Sequence, residues 1–179
     1  MSKNIFLISD THFGHSLMYE KPFLRPDGTP LRPWPSAEEA DEAMIQRWNA
    51  TVGPNDQTYV LGDFAMRAGR VAIAEKLNGI KVLCSGNHDI FGAKKYLQYF
   101  KDVRSYHMLD GFLLCHVPIH PDSLGKAIGN VHGHLHCRSV LQSNKIDARY
   151  FSVCVEQINY TPIAWEDIKT EFANRSNEN

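Results

Sequence analysis

The sequence predicts an α/β fold in which two packed β-sheets are flanked by helices. Short apolar runs that are typical of strands alternate with longer stretches whose apolar residues recur at helical spacing. The chain has 179 residues, of which 43% are hydrophobic and 22% charged, as in ordinary globular proteins. A chain of this length can bury one sizeable core. We therefore expect a single domain over residues 1–179.

The predicted strands are short apolar runs bounded by polar or turn-forming residues. They cover residues 4–9, 58–61, 81–84, 112–115, 128–131 and 150–155. Between residues 103 and 114 the dipeptide Asp110-Gly111 favours a tight hairpin turn, so we expect the second sheet to begin in this segment.

The predicted helices are identified by their end signals and their periodicity. Ser36 is followed three residues later by Glu39, which predicts a capped helix that ends before Gly53 and Pro54. Further helices are expected over residues 69–77 and 165–173, and another begins near Gly92. Residues 20–35 contain five prolines and one glycine, which predicts an irregular loop that overhangs a site.

Composition excludes several classes of protein. A formal net charge of −1 argues against an extended nucleic-acid-binding surface. The first ten residues lack a cleavage site and are too short an apolar run to span a bilayer, so neither a signal peptide nor membrane association is expected. The four cysteines form no C-x-x-C pair and are predicted to be small buried residues. A reducing cytoplasm is the expected location.

Five segments place His, Asp or Asn directly after a predicted apolar strand. They are Asp10-Thr11-His12, Gly62-Asp63, Gly86-Asn87-His88-Asp89, His116 and Gly133-His134-Leu135-His136. Side chains from several strand ends converge at one edge of an α/β sheet, where ligand sites gather. Imidazole and carboxylate groups suit Mn, Fe or Zn. We expect extended backbone to direct each D-x-H or H-x-H pair to one side, and the glycines to let the backbone approach an ion or phosphate closely.

The order of these blocks resembles the signature of the calcineurin-like metallophosphoesterases. The resemblance covers residues 10–136, about 70% of the chain, and all five blocks occur in order. Residues 10–15, 61–65 and 159–163 further resemble a small, single-domain bacterial and phage branch. The resemblance implies a four-layer α-β-β-α sandwich with two mixed β-sheets.

The resemblance also implies a centre of two divalent ions. The first ion would be held by Asp10, His12, Asp63 and His136, and the second by Asp63, Asn87, His116 and His134. Manganese is expected, with Fe, Zn, Ni and Co as alternatives. A hydroxide that bridges the two ions would attack the phosphorus atom. The role implied for His88 is to assist the leaving group, with Asp89 orienting the imidazole.

The expected reaction is the hydrolysis of phosphate esters, above all small phosphodiesters or nucleotides. Phosphomonoesterase, protein phosphatase and nuclease activities on the same centre are alternatives, as are a catalytically silent metal-binding scaffold and a nucleotide sensor. His15, Arg67 and Arg138 are candidate substrate contacts, while Arg25 and Arg32 are loop arginines that could bind a distal anion. A homo-oligomer is compatible with the sequence.

Overall fold

The computed structural model describes residues 3–21 and 23–177 and confirms the predicted α/β fold class. Residues 1, 2, 22, 178 and 179 of the predicted domain, and residue 22 of the predicted loop, lie outside the described residues. The strands are β1 (Ile5–Ile8), β2 (Gln57–Val60), β3 (Ile80–Cys84), β4 (Asp102–Arg104), β5 (Tyr106–Leu109), β6 (Phe112–Cys115), β7 (Asn130–His132), β8 (Leu141–Gln142), β9 (Lys145–Ile146), β10 (Tyr150–Ser152) and β11 (Ile163–Ala164). The α-helices are α1 (Leu17–Glu20), α2 (Ala37–Thr51), α3 (Ala93–Tyr96) and α4 (Trp165–Asn177), and 3-10 helices span Ala68–Lys76 and Pro121–Ser123.

The first sheet has the order β11-β1-β2-β3-β4 and is parallel except for β11. Strands β1, β2 and β3 are buried over most of their length, because a parallel strand in the middle of a layered fold is covered on both faces. Their register aligns Ile8 with Val60 and Val60 with Leu83. The chain segments that follow these three strands therefore leave the sheet at the same edge.

The second sheet has the order β10-β7-β6-β5. Strands β5 and β6 form the predicted hairpin, in which Asp110 (φ 48°) and Gly111 (φ 84°) both adopt the left-handed conformation of a type I′ turn. This sheet begins within the predicted segment 103–114, a few residues after its start. Val103 lies in β4 of the first sheet, and the second sheet begins at Tyr106.

Two other predicted strands are shorter or shifted. The predicted strand 128–131 is observed as β7, and the predicted strand 150–155 ends at Ser152. After Ser152 the chain leaves the second sheet. The carbonyl oxygen of Val153 accepts a hydrogen bond from the backbone N–H of Ser9 at 2.9 Å, and the N–H of Val155 donates to the Ser9 carbonyl oxygen at 3.1 Å. Backbone pairing with the end of β1 therefore replaces the strand.

The two apolar cores explain why the sheets and helices pack as layers. One core lies between the sheets and includes Leu7 of the first sheet, Leu61 directly after β2, and Leu114 and Val131 of the second sheet, all fully buried. Trp165, Ile168 and Phe172 of α4 pack into the same core, with the Phe172 ring 4.7 Å from the Phe112 ring between centroids. The other core joins the first sheet to α2 and the longer 3-10 helix. Burying one such aliphatic or aromatic side chain stabilises the fold by about 1.5–3 kcal/mol.

The helix predictions hold with changes in length and type. The Ser36 hydroxyl oxygen accepts a hydrogen bond from the backbone N–H of Glu39 at 3.2 Å, which confirms the predicted N-cap of α2. The helix expected over 69–77 is a 3-10 helix. Its buried residues are Val71, Ile73 and Ala74, of which Val71 and Ala74 are spaced by three, the period of that helix type.

The predicted loop is irregular in the structure. Glu20 ends α1, and residues 23–35 form turns and bends with one isolated antiparallel bridge between Leu24 and Pro30. Among the described helices, none combines the length and apolar character that a membrane-crossing segment needs.

Candidate metal centre

Tight left-handed turns position the predicted ligands. The backbone φ angle is 59° at Asp10, 48° at His12, 53° at Asp63, 69° at His134 and 51° at His136. The expectation of extended backbone at these pairs is therefore wrong. Each left-handed non-glycine residue costs of the order of 1–3 kcal/mol, and such strain clusters at functional sites.

The first group of candidate ligands consists of Asp10, His12 and His136. The Oδ1 atom of Asp10 lies 3.7 Å from His12 Nε2 and 3.9 Å from His136 Nε2. Asp10 Oδ1 and His12 Nε2 are buried and have no hydrogen-bond partner. Because leaving buried polar atoms unpaired is costly, their convergence fits a bound cation.

The second group consists of Asp63, His116 and His134. Asp63 Oδ2 lies 3.3 Å from His116 Nε2. The amide oxygen of Asn87 lies 2.9 Å from the same nitrogen. The ligand atoms of each group lie within 4.8 Å of one another, so each group could hold a metal ion. The structure thus brings six of the seven predicted ligands into two groups, with Asn87 beside the second.

The Asp63 carboxylate of the second group also lies close to the first group. Its Oδ2 atom is 3.7 Å from His12 Nε2 as well as 3.3 Å from His116 Nε2. Its Oδ1 atom accepts a hydrogen bond from the backbone N–H of His88 at 2.8 Å. One carboxylate is therefore fixed within reach of ligands from both groups.

Hydrogen bonds orient the imidazoles so that Nε2 points inward. His116 Nδ1 lies 2.8 Å from the carbonyl oxygen of Leu61, to which a ring N–H there would donate. His136 Nδ1 lies 3.2 Å from Glu156 Oε2. Partners of this kind fix the tautomer and the orientation of a metal-ligating histidine.

The charge states suit a metal site. Burial lowers the pKa of the His12 and His134 imidazoles, which favours the neutral form that a metal requires. Burial alone would raise the pKa of the Asp10 and Asp63 carboxyls, but the surrounding imidazoles outweigh it and lower both pKa values. Both carboxyls therefore stay ionised.

A buried ion pair that was not predicted from the sequence holds residues of the first ligand group in place. Arg32 Nε lies 3.0 Å from Glu156 Oε1, and both side chains are almost fully buried. The same guanidinium donates hydrogen bonds to the carbonyl oxygens of Asp10 and Thr11. The view of Arg32 as a loop arginine for a substrate anion is therefore wrong. Glu156 directly follows a run of apolar residues. That position is the sequence feature from which its burial could have been predicted.

Replacing Glu156 by glutamine is expected to weaken metal binding at the first group by about 10–100-fold, because His136 loses its charged partner. Isothermal titration with Mn²⁺ measures this change. Glu38→Gln is the control, since Glu38 forms an exposed ion pair with Arg70 at 3.5 Å. A Glu156→Gln protein that unfolds more readily but binds Mn²⁺ unchanged would contradict the orienting role.

The structure separates the predicted catalytic pair. The exposed His88 ring lies edge-on to the His12 ring at 5.4 Å between centroids. The Asp89 carboxylate accepts hydrogen bonds from the backbone N–H groups of Asp63, Phe64 and Gly86. The expectation that Asp89 orients the His88 imidazole is thus corrected. Asp89 holds two ligand-bearing turns together.

The three predicted substrate contacts have different surroundings. The His15 ring lies 5.6 Å from the His12 ring, and its Nδ1 atom is buried without a partner. Arg67 is exposed and donates a hydrogen bond to the Ser16 hydroxyl at 3.2 Å. Arg138 is exposed and lines a cavity of about 370 Å³ together with His136. Only His15 and Arg138 therefore adjoin the first group directly.

His107 and the cysteines lie outside the two ligand groups. His107 forms polar contacts with the Tyr59 hydroxyl at 3.0 Å and with the Arg104 guanidinium at 2.6 Å. All four cysteines are free; Cys137 is half-buried and the other three are buried.

Glycine is required where ligand turns pack against each other. A Cβ atom at Gly133 would overlap the Ser9 hydroxyl and lie 2.5 Å from Asp10 Oδ2. The sequence predicted that Gly133 lets the backbone approach an ion or a phosphate. In the structure it lets the backbone approach the carboxylate of Asp10, a candidate ligand.

Gly133→Ala is expected to displace Asp10 and abolish metal binding at the first group. Metal analysis of the purified protein measures the loss. Gly69→Ala is the matched control, because a Cβ atom there meets nothing within 4 Å. Full metal content in Gly133→Ala would show that Asp10 is not needed in its observed place.

Comparison with known proteins gives relatives of matching length. The uncharacterized protein MJ1445 of Methanocaldococcus jannaschii is 32% identical over 168 residues, which cover 90% of this chain and 87% of the relative. The crystal structure of AQ665 from Aquifex aeolicus, a protein of unknown function, superposes with a TM-score of 0.67 at 25% identity. The match covers 94% of this chain and 99% of that chain. No protein-family model matches the sequence.

Proposed function

This chain belongs to the same family as MJ1445 of Methanocaldococcus jannaschii, and we propose that it is a metal-dependent phosphoesterase that acts chiefly on phosphodiesters. One observation carries the proposal. Two Asp/His groups lie side by side, with Asp63 Oδ2 of the second group 3.7 Å from His12 Nε2 of the first, and buried ligand atoms in the first group have no partner within the protein. The calcineurin-like motif order, which the sequence resembles, supports the same conclusion.

The ligand set defines which ions would bind. Asp10, His12, His136 and the shared Asp63 would hold one ion, and Asp63, Asn87, His116 and His134 the other. Nitrogen and oxygen donors without thiolate suit manganese, with Fe, Zn, Ni and Co as alternatives. When bound, two such ions supply an activated water and neutralise the charge of the phosphoryl oxygens.

The charge of the site favours an anionic substrate. Two divalent ions carry +4, and the carboxylates of Asp10 and Asp63 contribute −2, which leaves about +2 among these groups. A phosphate ester is attracted to such a site. Burial lowers the pKa of two of the histidine ligands, His12 and His134, so these two add no charge that would oppose metal binding.

His88 is the residue that we assign to the leaving group. Its ring is exposed beside His12, so a substrate held at the ligand groups can reach it. Its backbone N–H is fixed by Asp63 Oδ1, which anchors the ring next to the site. A protonated imidazole there would donate its proton to the departing oxygen atom.

The proposal is tested by metal analysis combined with turnover of bis(p-nitrophenyl) phosphate and of p-nitrophenyl phosphate. We expect about two ions per chain after loading with Mn²⁺, faster hydrolysis of the diester than of the monoester, and loss of activity after chelation. Faster monoester hydrolysis would favour a phosphomonoesterase. Full metal occupancy without turnover of either ester would overturn the enzyme assignment.

A further inference from the structure

A cavity beside the first ligand group is built from two walls of the chain. One wall is the proline-rich loop, which contributes Phe23, Leu24, Arg25 and Leu31. The other wall contains Leu135, Arg138 and the candidate ligand His136. The volume, about 370 Å³, falls within the range of small-molecule sites. A substrate held at the ligand groups would therefore have room for one substituent in this cavity.

Aromatic rings connect the cavity to the candidate metal centre. The His15 ring lies 5.6 Å from the His12 ring and 6.0 Å from the Phe23 ring between centroids. Phe23 is 50% exposed, although it lies in a cavity wall. An exposed ring of this kind offers a stacking face to a planar group, which is worth about 1–3 kcal/mol for a nucleobase.

The cavity also carries two guanidinium groups, of which that of Arg25 interacts electrostatically with the nearby Asp27 carboxylate. Within residues 3–21 and 23–177, neither Arg25 nor Arg138 forms an ion pair with a carboxylate. Arg25 donates a hydrogen bond to the carbonyl oxygen of Leu31 at 3.2 Å, which holds its guanidinium at the wall. Arg138 is exposed two residues after His136. A phosphate group near His136 would therefore meet a guanidinium that can bind it through two hydrogen bonds.

The geometry points to a nucleotide-binding subsite: the cavity between residues 23–31 and 135–138 takes the nucleoside part of a phosphodiester. The base packs against Phe23 and the neighbouring apolar side chains, and Arg138 contacts the phosphate. This inference rests on the proposed function and narrows its substrate class to nucleotide esters. The combination of an aromatic face, apolar walls and a free guanidinium matches a nucleoside phosphate better than a purely inorganic anion.

Isothermal titration of the Mn²⁺-loaded protein with thymidine 5′-monophosphate and with inorganic phosphate tests the subsite directly. The wild-type protein is expected to bind the nucleotide at least about tenfold more tightly than phosphate. Phe23→Ser and Arg138→Glu should each weaken nucleotide binding by about tenfold. Phe23→Ser should leave phosphate binding unchanged, whereas Arg138→Glu removes the contact with the phosphate group and should weaken the binding of phosphate as well as of nucleotide. Lys126→Glu, which changes an exposed charge outside the cavity, is the control and should alter neither.

Turnover separates failure of the subsite from failure of the proposed function. Thymidine 5′-(p-nitrophenyl phosphate) and bis(p-nitrophenyl) phosphate share the same leaving group, so the ratio of their kcat/KM values reports on the nucleoside. We expect Phe23→Ser to lower this ratio. Nucleotide binding with the expected variant pattern but without turnover would refute the enzyme assignment and support the subsite. Equal wild-type affinity for nucleotide and phosphate, or a parallel loss of both in Phe23→Ser, would overturn the subsite.

Discussion

Asp63→Asn is expected to lower turnover of bis(p-nitrophenyl) phosphate by about a thousandfold or more. Asp63 lies within 3.7 Å of ligand nitrogens from both groups, so neutralising its carboxylate weakens both candidate ion sites. Metal ions contribute several kcal/mol to such reactions, and about 4 kcal/mol corresponds to a thousandfold in rate. We also expect the Mn²⁺ content of the purified protein to fall.

Asp122→Asn is the matched control for this experiment. The Asp122 side chain is 93% exposed and belongs to neither ligand group, so both metal content and turnover should stay unchanged. Asp63→Asn retains an oxygen atom that can accept the hydrogen bond from the His88 backbone. Turnover within tenfold of wild type in Asp63→Asn would contradict a bridging role.

His88→Ala is expected to lower turnover by about 10²–10⁴-fold while the metal content stays unchanged. The His88 ring belongs to neither candidate ligand group, and the contact with Asp63 uses the backbone N–H, which alanine keeps. The loss should be larger for a dinucleotide, whose leaving alkoxide needs a proton, than for a nitrophenyl ester. Inductively coupled plasma mass spectrometry and steady-state kinetics with both esters measure the two effects.

His120→Ala serves as the control for loss of an imidazole. Its side chain is 72% exposed, and it lies outside both ligand groups. Metal-free protein from His88→Ala would show that His88 acts as a ligand. An equal loss of rate with nitrophenyl and dinucleotide esters would argue against proton donation to the leaving group.

Much of the fold could be predicted because its strands are marked by local patterns. Short runs rich in apolar residues identify the buried parallel strands, Asp110-Gly111 identifies the hairpin, and Ser36 identifies the start of α2. The break after Ser152 could not be predicted. It depends on hydrogen bonds between Ser9 and residues 153–155, which are far apart in sequence.

The candidate site was predictable in its residue types but not in its backbone. The blocks around Asp10, Asp63 and His134 indicated which side chains meet, since strand ends gather at one edge. Their left-handed turns could not be located from the sequence, because Asp and His are enriched at positive φ but only a small minority of them adopt it. Likewise, the roles of Arg32 and Glu156 depend on a contact across 124 residues of chain.

The candidate ligands come from both sheets, so a bound ion would affect how firmly the two sheets are held together. Asp10, His12 and Asp63 follow strands of the first sheet, whereas His116, His134 and His136 follow strands of the second. Any ion held by residues from both would act as a cross-link at the open end of the sandwich. Ligand binding to the native state alone adds about 2.7 kcal/mol of stability at a hundred times the dissociation constant. A cation bound for catalysis would thereby also stabilise the packing of the two sheets.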